Sequence, residues 1–266
     1  MDLSLFPVTL SIAGSDSGGG AGIQADIKTF TSLKVYGTTA ITCITSQNPD
    51  RVSSIQEVPL EIIEDQIWSV LEFFPVNAVK TGMLFSEKII RKVSEFAKNR
   101  NFQLVVDPVM VATSGALLLQ KDAIESLKKD LLPYSDLITP NLDEAEILLN
   151  KKITIRPEME ASVKSIYELF GVPVLLKGGH LKNTDEATDV LFDGKNIHTF
   201  TKNFIHGVNS HGTGCTYSSA ICAYLAKGHS LVESIYRAKE FLHFTISHSL
   251  PIGFQKVHSL NHLISK

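Results

Sequence analysis

Val8-Thr9-Leu10-Ser11-Ile12-Ala13, then Gly14-Ser15-Asp16-Ser17-Gly18-Gly19-Gly20, then Ala21 to Leu33, is the stretch that decides the fold class. The first six residues read as a buried strand that Gly14 stops, and Ala21 to Leu33 reads as a helix. A strand that enters a helix through a glycine loop is the repeating unit of a parallel sheet covered by helices.

The alternation continues to the end of the chain. Thr38 to Thr45, rich in β-branched residues, predicts a second strand. Leu60, Ile63, Ile67, Val70, Leu71 and Phe74 fall on one helical face. Ala78 to Thr81 predicts a short strand and Glu87 to Lys98 a helix. Leu104-Val105-Val106 runs straight into Asp107-Pro108. A helix over Ala123 to Leu131 follows, then a strand over Leu137 to Thr139. Leu142 to Leu149 and Pro157 to Phe170 predict helices, the second opened by proline and closed by Gly171. Val172 to Leu176 is another strand. Asp193-Gly194, between Asp189–Phe192 and Asn196–Phe200, signals a hairpin. Helices over Gly212 to Lys227 and Leu231 to Ser249 complete the pattern. The expectation is an α/β fold with a mainly parallel central sheet, helices on both faces, a hairpin near the edge, and one domain over residues 1–266.

The 266 residues carry a formal net charge of -3 and no basic stripe, so nucleic acid is not the expected partner. No apolar run approaches a membrane span. Met1 to Pro7 lacks the basic and apolar regions of a signal peptide. Cys43, Cys215 and Cys222 form neither a disulfide framework nor a zinc-ligand spacing. A cytoplasmic protein is expected.

Several motifs fall at strand ends, where sites on parallel sheets lie. His211-Gly212-Thr213-Gly214-Cys215-Thr216 precedes an apolar helical run, Tyr217 to Leu225. Such a turn presents backbone N–H groups at the positive end of a helix dipole and suits an anion; it is equally a tight loop before a core helix. Gly14 to Asp26 is glycine-rich but matches neither a Walker A sequence nor a dinucleotide fingerprint. Within it, Asp26 is either a solvated carboxylate near a helix start or an acceptor for substrate. Gln47 offers a donor and an acceptor to a planar heterocycle, or is a polar loop residue. Asp107 directly follows an apolar strand. Asn141 and Glu144 form a capping box, or a hard-oxygen site for a cation held directly or through water. Lys177, in Lys177-Gly178-Gly179-His180, reaches a phosphate or ends in solvent. Cys215, at a helix start, is expected to have a lowered pKa and to serve as base or hydroxyl partner, or else packs as a small apolar residue.

Taken in order, Ile12 to Asp16, Gly19 to Asp26, Lys80-Thr81-Gly82-Met83-Leu84, Asp107-Pro108-Val109-Met110, Thr139 to Ala145, Lys177 to His180 and His211 to Thr216 make the chain resemble the vitamin-kinase branch of the ribokinase superfamily. Within that branch the likeness is to the hydroxymethylpyrimidine/phosphomethylpyrimidine kinases of thiamine biosynthesis, over about Leu10 to Leu250. The resemblance implies a ribokinase-like three-layer sandwich, ATP and Mg²⁺ as cofactors, and commonly a homodimer. It implies an aminopyrimidine alcohol and its monophosphate as small-molecule substrates, with no membrane partner. It assigns Gly212, Thr213 and Gly214 to the anion hole and Cys215 to the hydroxymethyl oxygen. Lys177 goes to ATP phosphates, Asp107 to the phosphate–metal region, and Asn141 and Glu144 to Mg²⁺. Gln47 would read the aminopyrimidine edge, while Gly14, Asp26 and Met83 line its pocket. Thr45 departs from the valine the likeness leads one to expect. Relatives with the same turn phosphorylate B6 vitamers, so a pyridoxal or pyridoxine kinase is the alternative.

Overall fold

The computed structural model describes residues 6–111, 119, 121–179, 181, 185–208, 211–254 and 257–263. The first strand, β1 (Val8–Asp16), runs past Gly14, beyond the stop expected from sequence. Its register against β2 (Tyr36–Asn48) shifts between Ala13 and Ser15. Gly14 permits this close passage, because a Cβ there would lie 2.9 Å from Cys43 Sγ. Helix α1 (Gly22–Ser32) separates the two strands. After β2 the chain turns through Pro49 and Asp50 into β3 (Arg51–Glu57), a strand that the sequence pattern did not reveal. It pairs with β2 alone, at the sheet edge, and so needs no continuous apolar run.

Helix α2 (Leu60–Phe73), β4 (Val76–Thr81), α3 (Glu87–Lys98) and β5 (Gln103–Val106) follow the predicted alternation. In α3, Ile89, Ile90, Val93 and Ala97 are buried, as their helical spacing requires. The helix expected over Ala123 to Leu131 divides into α4 (Lys121–Ser126) and a π-helical turn over Leu127–Leu131. Strand β6 (Leu137–Ile138) leads to α5 (Leu142–Leu149) and α6 (Arg156–Phe170), which Gly171 closes at a φ of 72°. Strands β7 (Val174–Leu176), β8 (Glu186–Phe192) and β9 (Ile197–Asn203) precede α7 (Thr213–Ala226) and α8 (Leu231–Ser247). A small antiparallel pair, β10 (Leu250–Ile252) and β11 (Val257–Ser259), lies apart from the main sheet.

Among the described residues the main sheet has nine strands in the order β3-β2-β1-β4-β5-β6-β7-β8-β9. Strands β2, β1, β4, β5, β6 and β7 run parallel, whereas β3 against β2, and β8 against β7 and β9, pair antiparallel. Successive strand residues go to opposite faces: Leu104 and Val106 enter one core with α2 to α6, and Val105 enters the other with α1, α7 and α8. The result is a three-layer α/β/α sandwich, as expected. The chain passes from β1 to β2 on one side and to β4 on the other. The carboxyl ends of β1 and β4 therefore open a crevice at the switch point, where ligands of such sheets bind. Among the described residues no helix is long and apolar enough to cross a membrane.

Candidate active site

A cavity of about 600 Å³ runs along the carboxyl edge of the sheet, from β2 and β3 to β9 and α8. At its middle lies the turn into α7. Gly212 sits at the helix N-cap with a φ of 81°, and a Cβ there would fall 1.8 Å from the Gly20 carbonyl oxygen. Only glycine allows the two glycine loops to interlock this way. The helix ladder begins with Thr216 N–H donating to the Gly212 carbonyl. The amides before Thr216 therefore lie outside it, at the positive end of α7. Gly212, Thr213, Gly214 and Cys215 all line the cavity.

Facing this turn is a paired charge. Lys177 Nζ donates to Asp107 Oδ1 at 2.7 Å, and Asp107 Oδ2 accepts from Ser218 of α7 at 3.2 Å. Lys177 Nζ is also near enough to Gly214 that a Cβ there would lie 3.4 Å from it. Burial alone would raise the Asp107 pKa. The charges of Lys177 and Lys80, with hydrogen bonds from Lys177 and Ser218, hold it below the ordinary carboxylate value. Asn141 and Glu144 make the full capping box of α5, with Glu144 Oε2 accepting from Asn141 N–H at 2.8 Å and Asn141 Oδ1 accepting from Glu144 N–H at 2.9 Å. Both also line the cavity, so the capping role does not remove them from it. Glu144 is buried, and burial pushes its pKa up to about 8 against the opposing charge of Lys177. His180 lies outside the described residues.

The lowered pKa expected for Cys215 is corrected by the structure. Burial pushes the thiol up to about 11, outweighing the nearby Lys80 charge and a hydrogen bond from Gly22 N–H. Desolvation disfavours the thiolate more than the helix end and the cation favour it. At neutral pH Cys215 is a neutral thiol on the cavity wall.

The end of the cavity nearest β2 holds Gly14, Ser15, Asp16, Thr45, Gln47 and Met83. Gln47 Oε1 lies 3.1 Å from the Thr45 hydroxyl, which also donates to the Ser15 carbonyl at 2.9 Å. The threonine that departs from the expected valine thus has partners and touches the Gln47 amide. Gln47 Nε2 lies 3.5 Å from His211 Nε2, and that histidine nitrogen is 2.9 Å from Asp16 Oδ2. Asp16 also accepts from Gly18, Gly20 and Ala21 N–H groups. Burial would raise its pKa, but the bond and charge of His211 and these amides hold it below the ordinary value. Asp16 and His211 were not singled out from sequence as site residues. The available signal was their place beside the two glycine motifs, which the folded chain brings together.

Asp26 is a second correction. It does not line the cavity. Its carboxylate is fully buried and accepts from Ser11 at 2.5 Å, Ser219 at 2.6 Å and Lys80 at 3.0 Å. The residue lies four positions into α1, on the side that faces β1, β4 and α7, so it looks into the core rather than toward a ligand.

The far end of the cavity is built by Asn203, Phe204, Ile205 and Val208 after β9 and by Leu242, His243 and Ile246 of α8. Tyr217, Asp189 and Lys239 join it to the middle. This apolar slot carries no local motif, because its residues come from segments tens of positions apart. Among the described residues no three His, Cys, Asp or Glu side chains form a metal cage.

A family model described as phosphomethylpyrimidine kinase matches residues 16–261. The chain is 46% identical over 241 residues to the hydroxymethylpyrimidine/phosphomethylpyrimidine kinase of Rhizobium meliloti, covering 90% of each chain. It is 46% identical over 245 residues to the thiamine biosynthesis bifunctional protein ThiED of Geobacter sulfurreducens, covering 92% of this chain and 50% of that one. The chain spans about half the length of several curated relatives that it matches. Among solved structures, the ADP complex of Bacillus subtilis pyridoxal kinase superposes with a TM-score of 0.88 at 35% identity, covering 97% of this chain and 98% of that one.

Proposed function

The chain belongs to the phosphomethylpyrimidine kinase family, and from that premise we propose that it transfers the γ-phosphoryl group of ATP to the hydroxymethyl oxygen of 4-amino-5-hydroxymethyl-2-methylpyrimidine, and then phosphorylates the monophosphate to the diphosphate. The observation that carries this reading is the continuous cavity. It sets an anion-binding turn and a lysine between a polar pocket ending in Gln47 and an apolar slot able to take a nucleobase. Relatives on both sides of the comparison, the Rhizobium kinase and the ADP-bound pyridoxal kinase, are phosphotransferases by name.

In this reading the pyrimidine ring lies against Met83 and Gly14, and its amino edge meets Gln47. The Cys215 thiol contacts the hydroxymethyl oxygen. As that oxygen attacks the γ-phosphorus, a new P–O bond forms, the β–γ bridging P–O bond breaks with ADP as the leaving group, and the hydroxyl proton passes to solvent. Gly212, Thr213 and Gly214 amides and the Lys177 ammonium stabilise charge on the transferring group. Phosphoryl transfer proceeds mainly by positioning and charge stabilisation, so a neutral thiol that orients the hydroxyl suffices. Asn141, Glu144 and Asp107 supply the hard oxygen donors that suit Mg²⁺. Each already holds protein hydrogen bonds, which fits a cation bound through water. Bound there, Mg²⁺ would neutralise phosphate charge. The same reading takes the chain as one cytoplasmic kinase domain acting as a homodimer.

The second reading, pyridoxal kinase, draws on the similarity to the Bacillus enzyme. Both substrates are flat heterocycles bearing a hydroxymethyl group. The test is ATP consumption with Mg²⁺ in the presence of the hydroxymethylpyrimidine, its monophosphate, or pyridoxal. Turnover of both pyrimidines supports the first reading. Turnover of pyridoxal alone replaces it with the second.

A further inference from the structure

The geometry points to Asp189 as a positioning residue for nucleotide phosphates, which braces the Lys177–Gly179 loop while Lys239 supplies the counter-charge for its burial. The inference rests on the reading of the cavity as an ATP site. Asp189 lies on β8, the strand next to β7, which ends just before Lys177. Its Oδ1 accepts from Gly178 N–H at 3.0 Å, and its Oδ2 accepts from Lys239 Nζ of α8 at 2.6 Å. Lys239 Nζ lies 5.7 Å from the centroid of the Tyr217 ring on α7. One carboxylate therefore ties the loop to α8, and Lys239 beside the Tyr217 ring brings α7 against the same pair.

The loop is held from both sides. Lys177 N–H donates to the Pro140 carbonyl beyond β6, while Gly178 N–H goes to Asp189. Gly178 is seated so tightly that a Cβ would lie 2.1 Å from the Thr188 carbonyl oxygen. With its backbone fixed, Lys177 projects to Asp107 and to the α7 turn. Asp189 and Lys239 are themselves nearly closed to solvent, at 2% and 6% exposure, yet both line the cavity. A charged acceptor holds a backbone N–H about twice as strongly as a neutral one, and a buried carboxylate needs a partner cation to persist.

The experiment is calorimetric titration of ATP into the protein without pyrimidine, alongside steady-state kinetics. Asp189→Ala should weaken ATP binding roughly 10-fold, the loss of about one charge-assisted hydrogen bond, with the pyrimidine KM within about 2-fold of wild type. Asp189→Asn should weaken it less, because its amide oxygen still accepts from Gly178. Unchanged ATP affinity in Asp189→Ala, or an equal rise in both KM values, would overturn the inference. If Asp189→Ala fails to fold, the apolar pair Asp189→Leu with Lys239→Met, which removes the acceptor for Gly178 N–H and leaves no buried charge behind, replaces it, and unchanged affinity there overturns the inference equally. If the wild type binds no ATP, the ATP reading fails by itself, and inorganic tripolyphosphate becomes the probe. Weaker tripolyphosphate binding by Asp189→Ala would then support the brace. Equal binding, or none by the wild type, would overturn it.

Discussion

Two lysine–aspartate pairs lie near enough beneath the α7 turn for Lys80 to act on Asp107, and they have opposite roles. Lys80–Asp26 is sealed at 0% exposure of both side chains, with both oxygens of Asp26 also bonded to Ser11 and Ser219. Lys177–Asp107 has the same chemistry, but Lys177 keeps 13% side-chain exposure and opens onto the cavity. Lysine at a strand end and aspartate nearby do not reveal the difference. The Lys80 side chain, two residues before Gly82 on the inner strand β4, enters the core, and Asp26 meets it there from α1. Lys177 stands where β7 has already ended. The sealed pair holds four elements together, and the open pair has charge to offer a ligand.

Single substitutions should separate the two pairs most strongly. Lys177→Met should lower kcat by roughly 100-fold or more, as loss of a charge that acts on the transferring group does, and lower Tm less than Lys80→Met, because the cavity admits water to the carboxylate left behind. Lys80→Met should do the reverse. Breaking a buried pair costs about 3–5 kcal/mol, a fall in Tm of roughly 10 °C, which a thermal melt will show. Equal effects of both variants on Tm would erase the distinction.

Cys215 sharpens it further, since its thiol lies above the sealed pair and on the open side. Cys215→Ala should lower kcat at least ~10-fold with ATP affinity little changed, the cost of misplacing the attacking hydroxyl. Because burial holds the thiol near 11, the kcat–pH profile should show no limb at the usual cysteine value. A limb near that value would restore the thiolate base. Gln47→Ala, on the wall opposite the charges, should raise the pyrimidine KM about 5- to 10-fold, the worth of one hydrogen bond, and leave the ATP KM alone. An untouched pyrimidine KM would make Gln47 a loop residue.

The remaining effect is one of pH, at Glu144 on the cavity wall beside the open pair. Its folded pKa, about 8, stands above the ordinary 4.5. Between those values the native state binds more protons than the unfolded one, so this group's contribution to stability is full below pH 4.5 and is lost as pH rises through 8. Glu144→Gln keeps an acceptor for the capping box and removes that slope. Its Tm should exceed that of the wild type at pH 8 and converge with it at low pH. Identical melts at both ends would show that Glu144 is ionised in the native state.

Much of this architecture was legible in the residues. The apolar runs of β1, β4, β5 and β7 and the spacing of Leu60, Ile63, Ile67, Val70 and Leu71 made the layers legible, because burial on two faces or one leaves its period in the sequence. Asn141 and Glu144 announced their own cap. Strand β3 was missed because an edge strand buries too little to leave that period. The continuation of α4 as a π-helical turn was missed too, since its spacing differs little from that of an α-helix.

The sequence by itself determined the α/β class, the family, and the two glycine-bearing motifs with the lysine that belongs to them, since each is written in neighbouring residues. Only the tertiary structure decided that Asp26 faces the core, that Cys215 is a neutral thiol, that His211 leans on Asp16, and that Asp189 and Lys239 stand behind Lys177. Those outcomes depend on which strands lie side by side and on how much water each charge retains. Both are set by contacts between residues far apart in the chain, and a local pattern carries no record of them.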